Sequence, residues 1–157
     1  MFFRLLSLVM LLFAIGCSDL INESDLESKR GLLYNPKNSK PYSGKVYKLY
    51  STGSKMREGV FDLGTIDGSY TYYDNEGLII NPIEENKLDL KDGKKYFPGT
   101  DREYWGLAYG LYQTGEISYE VFYEGGKLSS EYTYFKLDGS IKDPIFMSLL
   151  VRRGDVF

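Results

Sequence analysis

Histidine is absent from the 157 residues, and cysteine occurs once, at Cys17. The first absence removes the commonest general base, the commonest metal-binding side chain and every Ser-His or Cys-His nucleophile. The second removes any intramolecular disulfide, which needs two thiols. Small secreted domains often depend on such bridges, so a lone cysteine suggests another task. Proline is sparse, with 5 residues, and there is a single tryptophan. Neither sign of charge dominates: 19 Lys and Arg against 22 Asp and Glu give a net charge of −3. A protein that holds a phosphate backbone carries a clear basic excess or stripe, so nucleic acid is not an expected partner. The longest apolar run falls short of the roughly 20 residues that cross a bilayer as a helix.

That run opens the chain. Met1 to Cys17 reads MFFRLLSLVMLLFAIGC, with one positive charge at Arg4, an apolar stretch from Leu5 to Ile15, and small residues Ala14 and Gly16 before the cysteine. It resembles a bacterial lipobox. Gly16 and Cys17 fit the pattern, whereas Ala14 and Ile15 stand where a leucine and a small residue are usual. The resemblance implies cleavage before Cys17 and acylation of its thiol, with membrane lipid as a partner. Each buried methylene contributes about 0.8 kcal/mol, and two or three acyl chains anchor stably where one does not. Ser18 in place of an aspartate points to the outer membrane, periplasmic or surface face, rather than the inner one. Residues 18–29 are polar and acidic and read as a solvated tether. The expected organisation is a signal peptide over 1–16, a lipidated cysteine and tether over 17–29, one β domain over 30–142 and a tail over 143–157. That tail holds the apolar run Ile145–Leu150 followed by Arg152 and Arg153.

The rest of the chain is rich in what strands and tight turns use: 15 tyrosines, 9 phenylalanines and 17 glycines. Sliding the sequence against itself by 62 residues brings Gly31 onto Gly93, Tyr34 onto Tyr96, Tyr42 onto Tyr104, Tyr47 onto Tyr109, Glu58 onto Glu120 and Gly77 onto Gly139. From Asn22 to Ile80 about one position in three is identical without a gap. The reading is two tandem modules, about 22–80 and 84–142.

Strand patterns lie at Tyr42–Tyr50, Lys55–Phe61 and Ser69–Tyr73, each ended by a glycine-bearing turn, with a shorter one at Leu32–Tyr34 followed by Pro36, and they recur in the second module. A 60-residue module without disulfide or metal is marginal alone. The expected fold is therefore all-β: an elongated antiparallel meander of stacked hairpins, with the two modules joined edge to edge in one continuous sheet.

The units Tyr42-Ser-Gly-Lys-Val-Tyr-Lys-Leu-Tyr-Ser-Thr-Gly53, then Glu58 and Phe61, then Asp67-Gly68-Ser-Tyr-Thr-Tyr-Tyr73-Asp-Asn-Glu-Gly77, resemble the variant MORN repeats of the YwqK-type, antitoxin-like family. Gly31-Leu-Leu-Tyr34 with Pro41-Tyr-Ser-Gly44 is similar to the stretch that opens such proteins. The second copy departs from it at Ser129-Ser130 and at Trp105. The resemblance spans roughly Leu26 to Ile141 and implies an antiparallel sheet of hairpins and an antitoxin-like role.

No catalytic residue, metal or cofactor is expected. Glu58 and Glu120 lie a whole module apart, about 19 Å at roughly 4.8 Å per strand, beyond the 5–9.5 Å or so of glycosidase carboxylate pairs. Asp62, Asp67, Asp74 and Glu76 fit turns better than a calcium loop. Ser129 and Ser130 have no histidine to activate them, and Gly125-Gly126-Lys127 reads as a hairpin turn. The candidate binding residues are Trp105, Tyr47, Tyr109, Tyr50 and Tyr112, which would present aromatic surface to a protein or a glycan. The alternatives are packing within the sheet, an antitoxin-like immunity protein and, less favoured, a cell-wall or glycan enzyme.

Overall fold

A computed structural model describes residues 20–130 and 132–142. The signal segment, Cys17 and the 143–157 tail lie outside the described residues. The first module runs β1 (Ile21–Asn22), a 3-10 turn at Glu23–Asp25, β2 (Glu27–Lys29), β3 (Leu32–Asn35), β4 (Lys40–Pro41), β5 (Gly44–Leu49), β6 (Lys55–Asp62), β7 (Thr65–Tyr73) and β8 (Ile79–Ile80). The second runs β9 (Ile83–Glu84), a 3-10 turn at Glu85–Lys87, β10 (Asp89–Lys91), β11 (Lys94–Tyr96), β12 (Gly106–Leu111), β13 (Ile117–Glu124), β14 (Lys127–Leu128) and β15 (Thr133–Tyr134). The fold is all-β, and no helix among the described residues is long and apolar enough to cross a membrane.

Strand register follows the 62-residue offset. Tyr47 faces Glu58 across β5 and β6, and Tyr109 faces Glu120 across β12 and β13. Both pairs of strands carry a register shift just before the hairpin turn, at Lys48/Leu49 and at Gly110/Leu111. Tyr50 and Tyr112 each donate a hydroxyl hydrogen bond, to the carbonyls of Tyr73 at 2.7 Å and Phe135 at 2.6 Å. Gly53 and Gly115 sit in the hairpin turns that follow, with φ of +86° and +98°, and donate to the carbonyls of Tyr50 and Tyr112. A side chain is strained at such angles, which is why glycine ends both strands.

Each module has its own small core, because alternation sends every second residue of its central strands to one face. Val46, Phe61 and Leu26 form the first, joined by Tyr42, Ile66 and Tyr70. Tyr104, Ala108, Val121, Tyr123 and Leu88 form the second, joined by Phe97, Tyr119 and Tyr132. Bulk moves between strands where the copies differ. Gly59 in the first lies under Ile66 and Tyr70, and its counterpart Val121 is buried. Gly110, in turn, lies under the ring of Tyr119, where a Cβ would sit 2.1 Å from a ring carbon.

Two expectations are corrected. Residues 21–29 are not a free tether. β1 pairs in parallel with β5, Leu26 is buried, and the acidic Glu23 is held by Arg57 through bonds of 2.7–3.1 Å. A charge run looks solvated until one of its members finds a counter-ion. Nor is there one continuous sheet. The described strands form four sheets, β1-β5-β6-β7-β8, β9-β12-β13-β14 with β15, β2-β3-β4 and β10-β11. The short parallel strands β1 and β9 take the free edges of β5 and β12, so the modules do not join there. They meet through side chains instead. Trp105 packs edge-on to the buried ring of Tyr50, with centroids 5.1 Å apart. Phe122 lies 6.1 Å from Tyr72. Arg102 bonds the buried Asp74 at 2.9 Å, and Glu124 accepts from the amide of Ser51 at 3.2 Å.

Candidate functional site

The outward face of β6 carries Glu58, and the matching face of β13 carries Glu120, each beside a tyrosine on the neighbouring strand. The surroundings of the two carboxylates differ. Glu58 accepts from the Lys55 ammonium at 2.8 Å and from the Tyr73 hydroxyl at 2.5 Å, and the same ammonium stands 5.0 Å from the centre of the Tyr73 ring. Lys55, and then Tyr73, hold the Glu58 carboxyl below the usual carboxylate range. In the second module the residue 62 places after Lys55 is Ile117, and the one after Tyr73 is Phe135. The ammonium and the hydroxyl are both gone, and the ring remains.

The Glu120 carboxylate consequently has no hydrogen bond or ion pair among the described residues. It is half-buried, and desolvation pushes its carboxyl up, with Arg57 only partly opposing. The Arg57 guanidinium is itself committed to Glu23. Around Glu120 lies a shallow hollow of about 380 Å³ lined by Glu116, Ile117, Phe135, Leu137, Asp138 and Gly139. It therefore combines three carboxylates with an aliphatic and aromatic wall, and no cation lines it. The first-module counterparts of its charged positions are Ser54, Glu58 and Glu76, with Lys55 beside them. Local charge thus goes from −1 (one Lys, two Glu) to −3 (two Glu, one Asp).

A second carboxylate marks the inward side. Glu85 accepts from the hydroxyls of Tyr123 at 2.5 Å, Tyr119 at 2.8 Å and Tyr132 at 3.3 Å, with the Lys95 ammonium 3.7 Å away. Burial would raise its carboxyl, but the phenols of Tyr123 and Tyr119 and the charge of Lys95 outweigh burial and lower it. Its first-module counterpart is Glu23, held by Arg57, whose own counterpart is Tyr119. This cluster is fully satisfied and reads as a structural lock.

Of the five aromatic residues singled out as binding candidates, Tyr109 stands next to the Glu120 hollow, directly across from Glu120 on β12 and half-buried. Tyr112 does not line it; its hydroxyl fixes the carbonyl of Phe135, which does, and its ring lies under the Lys142 ammonium at 5.5 Å. Tyr47 occupies the corresponding place beside Glu58. Tyr50 does not present surface to a partner: it is 3% exposed and packed into the module seam. Trp105 is half-buried against it and borders a separate cleft of about 290 Å³ with Asp74, Glu76, Arg102 and Glu103. In the sequence Glu120 stands out only as half of a carboxylate pair. The signal that marks it is nonetheless there, in the alignment of the two modules: the loss of Lys55 and of the Tyr73 hydroxyl around an unchanged glutamate. Comparison with protein-family models, with characterised proteins and with solved structures finds no match.

Proposed function

We propose that the protein is a membrane-anchored, non-catalytic binding or scaffold module. Acylated Cys17 would hold it to the envelope, and the MORN-like sheet face around Glu120 would engage a protein or glycan partner. One observation carries the reading: a carboxylate stripped of the partners that its twin possesses, left in an apolar hollow. A half-buried charge without a partner lowers stability. Fold maintenance does not call for it, since the first module meets the same geometry with a fully paired glutamate. A group that costs stability and is retained at an open surface is a candidate for recognition. Tyr109 beside it supplies the amphipathic ring that interfaces favour.

The test is capture from detergent-solubilised envelopes with the acylated chain as bait, comparing it with Glu120→Gln and with Cys17→Ser. The reading expects Cys17→Ser protein to leave the membrane fraction, and a defined partner captured by the unaltered chain to be lost with Glu120→Gln. The same set of captured species with and without the Glu120 charge would refute it.

A further inference from the structure

We infer that the Glu120 hollow is a receptor for a primary ammonium on an alkyl chain, the side chain of a lysine presented by a protein partner. This inference rests on the binding-module reading and names the chemistry of its site. The first module supplies the pattern. There the Lys55 ammonium is held between the Glu58 carboxylate, at 2.8 Å, and the ring of Tyr73, at 5.0 Å from its centre. An ammonium in that position gains from the carboxylate charge and from the ring's negative face together.

The second module keeps both halves of that clamp and lacks the cation. Glu120 occupies the place of Glu58 on the same face and in the same register against its tyrosine. Phe135 occupies the place of Tyr73, and its backbone is fixed by the same tyrosine hydroxyl bond, from Tyr112 as from Tyr50. Exchange of Lys55 for Ile117 vacates the ammonium position and leaves an aliphatic wall where the lysine stem would lie. Leu137 replaces Asn75 and extends that wall. A lysine side chain has a matching build, an apolar stem carrying a charged head.

Charge selects the same ligand. Glu116, Glu120 and Asp138 line the hollow without a cation among them. Asp138 is partly engaged by the amide and hydroxyl of Ser140, at 2.9 Å and 2.6 Å. No group of three or more acidic side chains among the described residues is placed to hold a metal ion, so the acids supply a negative field and not a coordination shell. A neutral sugar would leave Glu120 with no counter-charge beyond Arg57, which is bonded to Glu23.

The experiment uses the full mature chain in detergent micelles, with labelled methyl groups at Ile117 and Leu137 followed by NMR. The probe is Nα-acetyl-lysine amide, and Nα-acetyl-norleucine amide, which lacks the ammonium, is the control. The expected result is a saturable shift of Ile117 and Leu137 with the lysine probe alone. Binding should weaken about tenfold or more in Glu120→Gln, as for loss of one partner of a charge pair, and stay unchanged in Glu58→Gln. A second variant works without removing the carboxylate: Ile117→Lys should fill the clamp from within and abolish probe binding. Equal response to the norleucine control, an undiminished response in Glu120→Gln, or full binding by Ile117→Lys would each overturn the inference. If the lysine probe fails while partner capture still depends on Glu120, the ammonium assignment falls and the binding module stands. If capture is also independent of Glu120, both fall.

Discussion

Glu58 and Glu120 occupy the same position in two modules of one chain, and their carboxyls are displaced in opposite directions. Glu58 is lowered by Lys55 and Tyr73; Glu120 is raised by desolvation. The backbone register around them is the same. The difference therefore lies in the neighbouring side chains and in the deeper burial of Glu120, and not in strand register.

The two glutamates should have opposite effects on stability as pH changes. A carboxyl lowered in the folded state adds stability above its unfolded value, and that stability is lost as pH falls through the folded value. Glu58 is such a group. A raised carboxyl favours the folded state below its unfolded value and loses that contribution as pH rises through the folded one; Glu120 is such a group. Glu120→Gln should thus raise the melting temperature at pH 7 and have little effect near pH 4. Glu58→Gln should lower it at pH 7. Thermal melts of both variants at the two pH values check the signs.

The lock at Glu85 should be costly to remove. Glu85→Ala leaves the hydroxyls of Tyr123, Tyr119 and Tyr132 without their acceptor, at about 1–3 kcal/mol for a buried polar group left unsatisfied. Because its carboxyl is lowered, the contribution of Glu85 is present above the ordinary glutamate range and is lost as pH falls through the lowered value. Denaturant titrations from pH 7 downward should show the difference between wild type and Glu85→Ala shrinking once pH falls below the ordinary glutamate range, with the part due to the orphaned hydroxyls remaining.

Two glycines should fail for different reasons. Gly110→Ala drives a methyl into the Tyr119 ring, an overpacking of about 1–3 kcal/mol. Gly115→Ala meets nothing within 4 Å and is strained only by its φ of +98°, at about 1 kcal/mol. Tyr119→Leu, which also gives up the bond to Glu85, should cost less in the Gly110→Ala background than in wild type and the same in the Gly115→Ala background, as a double-mutant cycle would show.

The chain's single tryptophan reports on the seam. Trp105 touches Tyr50, which belongs to the other module. Trp105→Ala should lower the melting temperature by removing that contact, and Trp105→Phe should restore most of it. Loss of partner capture by Trp105→Phe at full stability would shift the binding surface from Glu120 to the cleft beside Trp105.

The strands are legible in the sequence because alternation and glycine turns are local signals, and the all-β class follows from them. The arrangement of sheets is not. β1 and β9 are two residues each, too short for any periodicity, and their role is to cover the edges of β5 and β12. Glu23 reads as part of a solvated run because its partner Arg57 is 34 residues away. The shared residues of the two modules mark what builds each unit: Tyr50 with Tyr112, Gly53 with Gly115. The differing ones mark the rest. Trp105 in place of Ser43, and Arg102 in place of Lys40, build the seam; Ile117 in place of Lys55, and Phe135 in place of Tyr73, open the hollow. Trp105 is conspicuous as a single residue, whereas the hollow shows only in the partners that an unchanged glutamate has lost.

On the proposed reading, the second module binds because its glutamate lacks the lysine and the hydroxyl that occupy the first. The most direct measurement rebuilds them. The double variant Ile117→Lys, Phe135→Tyr transplants the first module's cluster onto Glu120 without removing any acidic group. Capture of the envelope partner by the acylated double variant should fall to the level of Glu120→Gln, with a melting temperature equal to or above wild type. Capture at the wild-type level by a folded double variant would contradict the account.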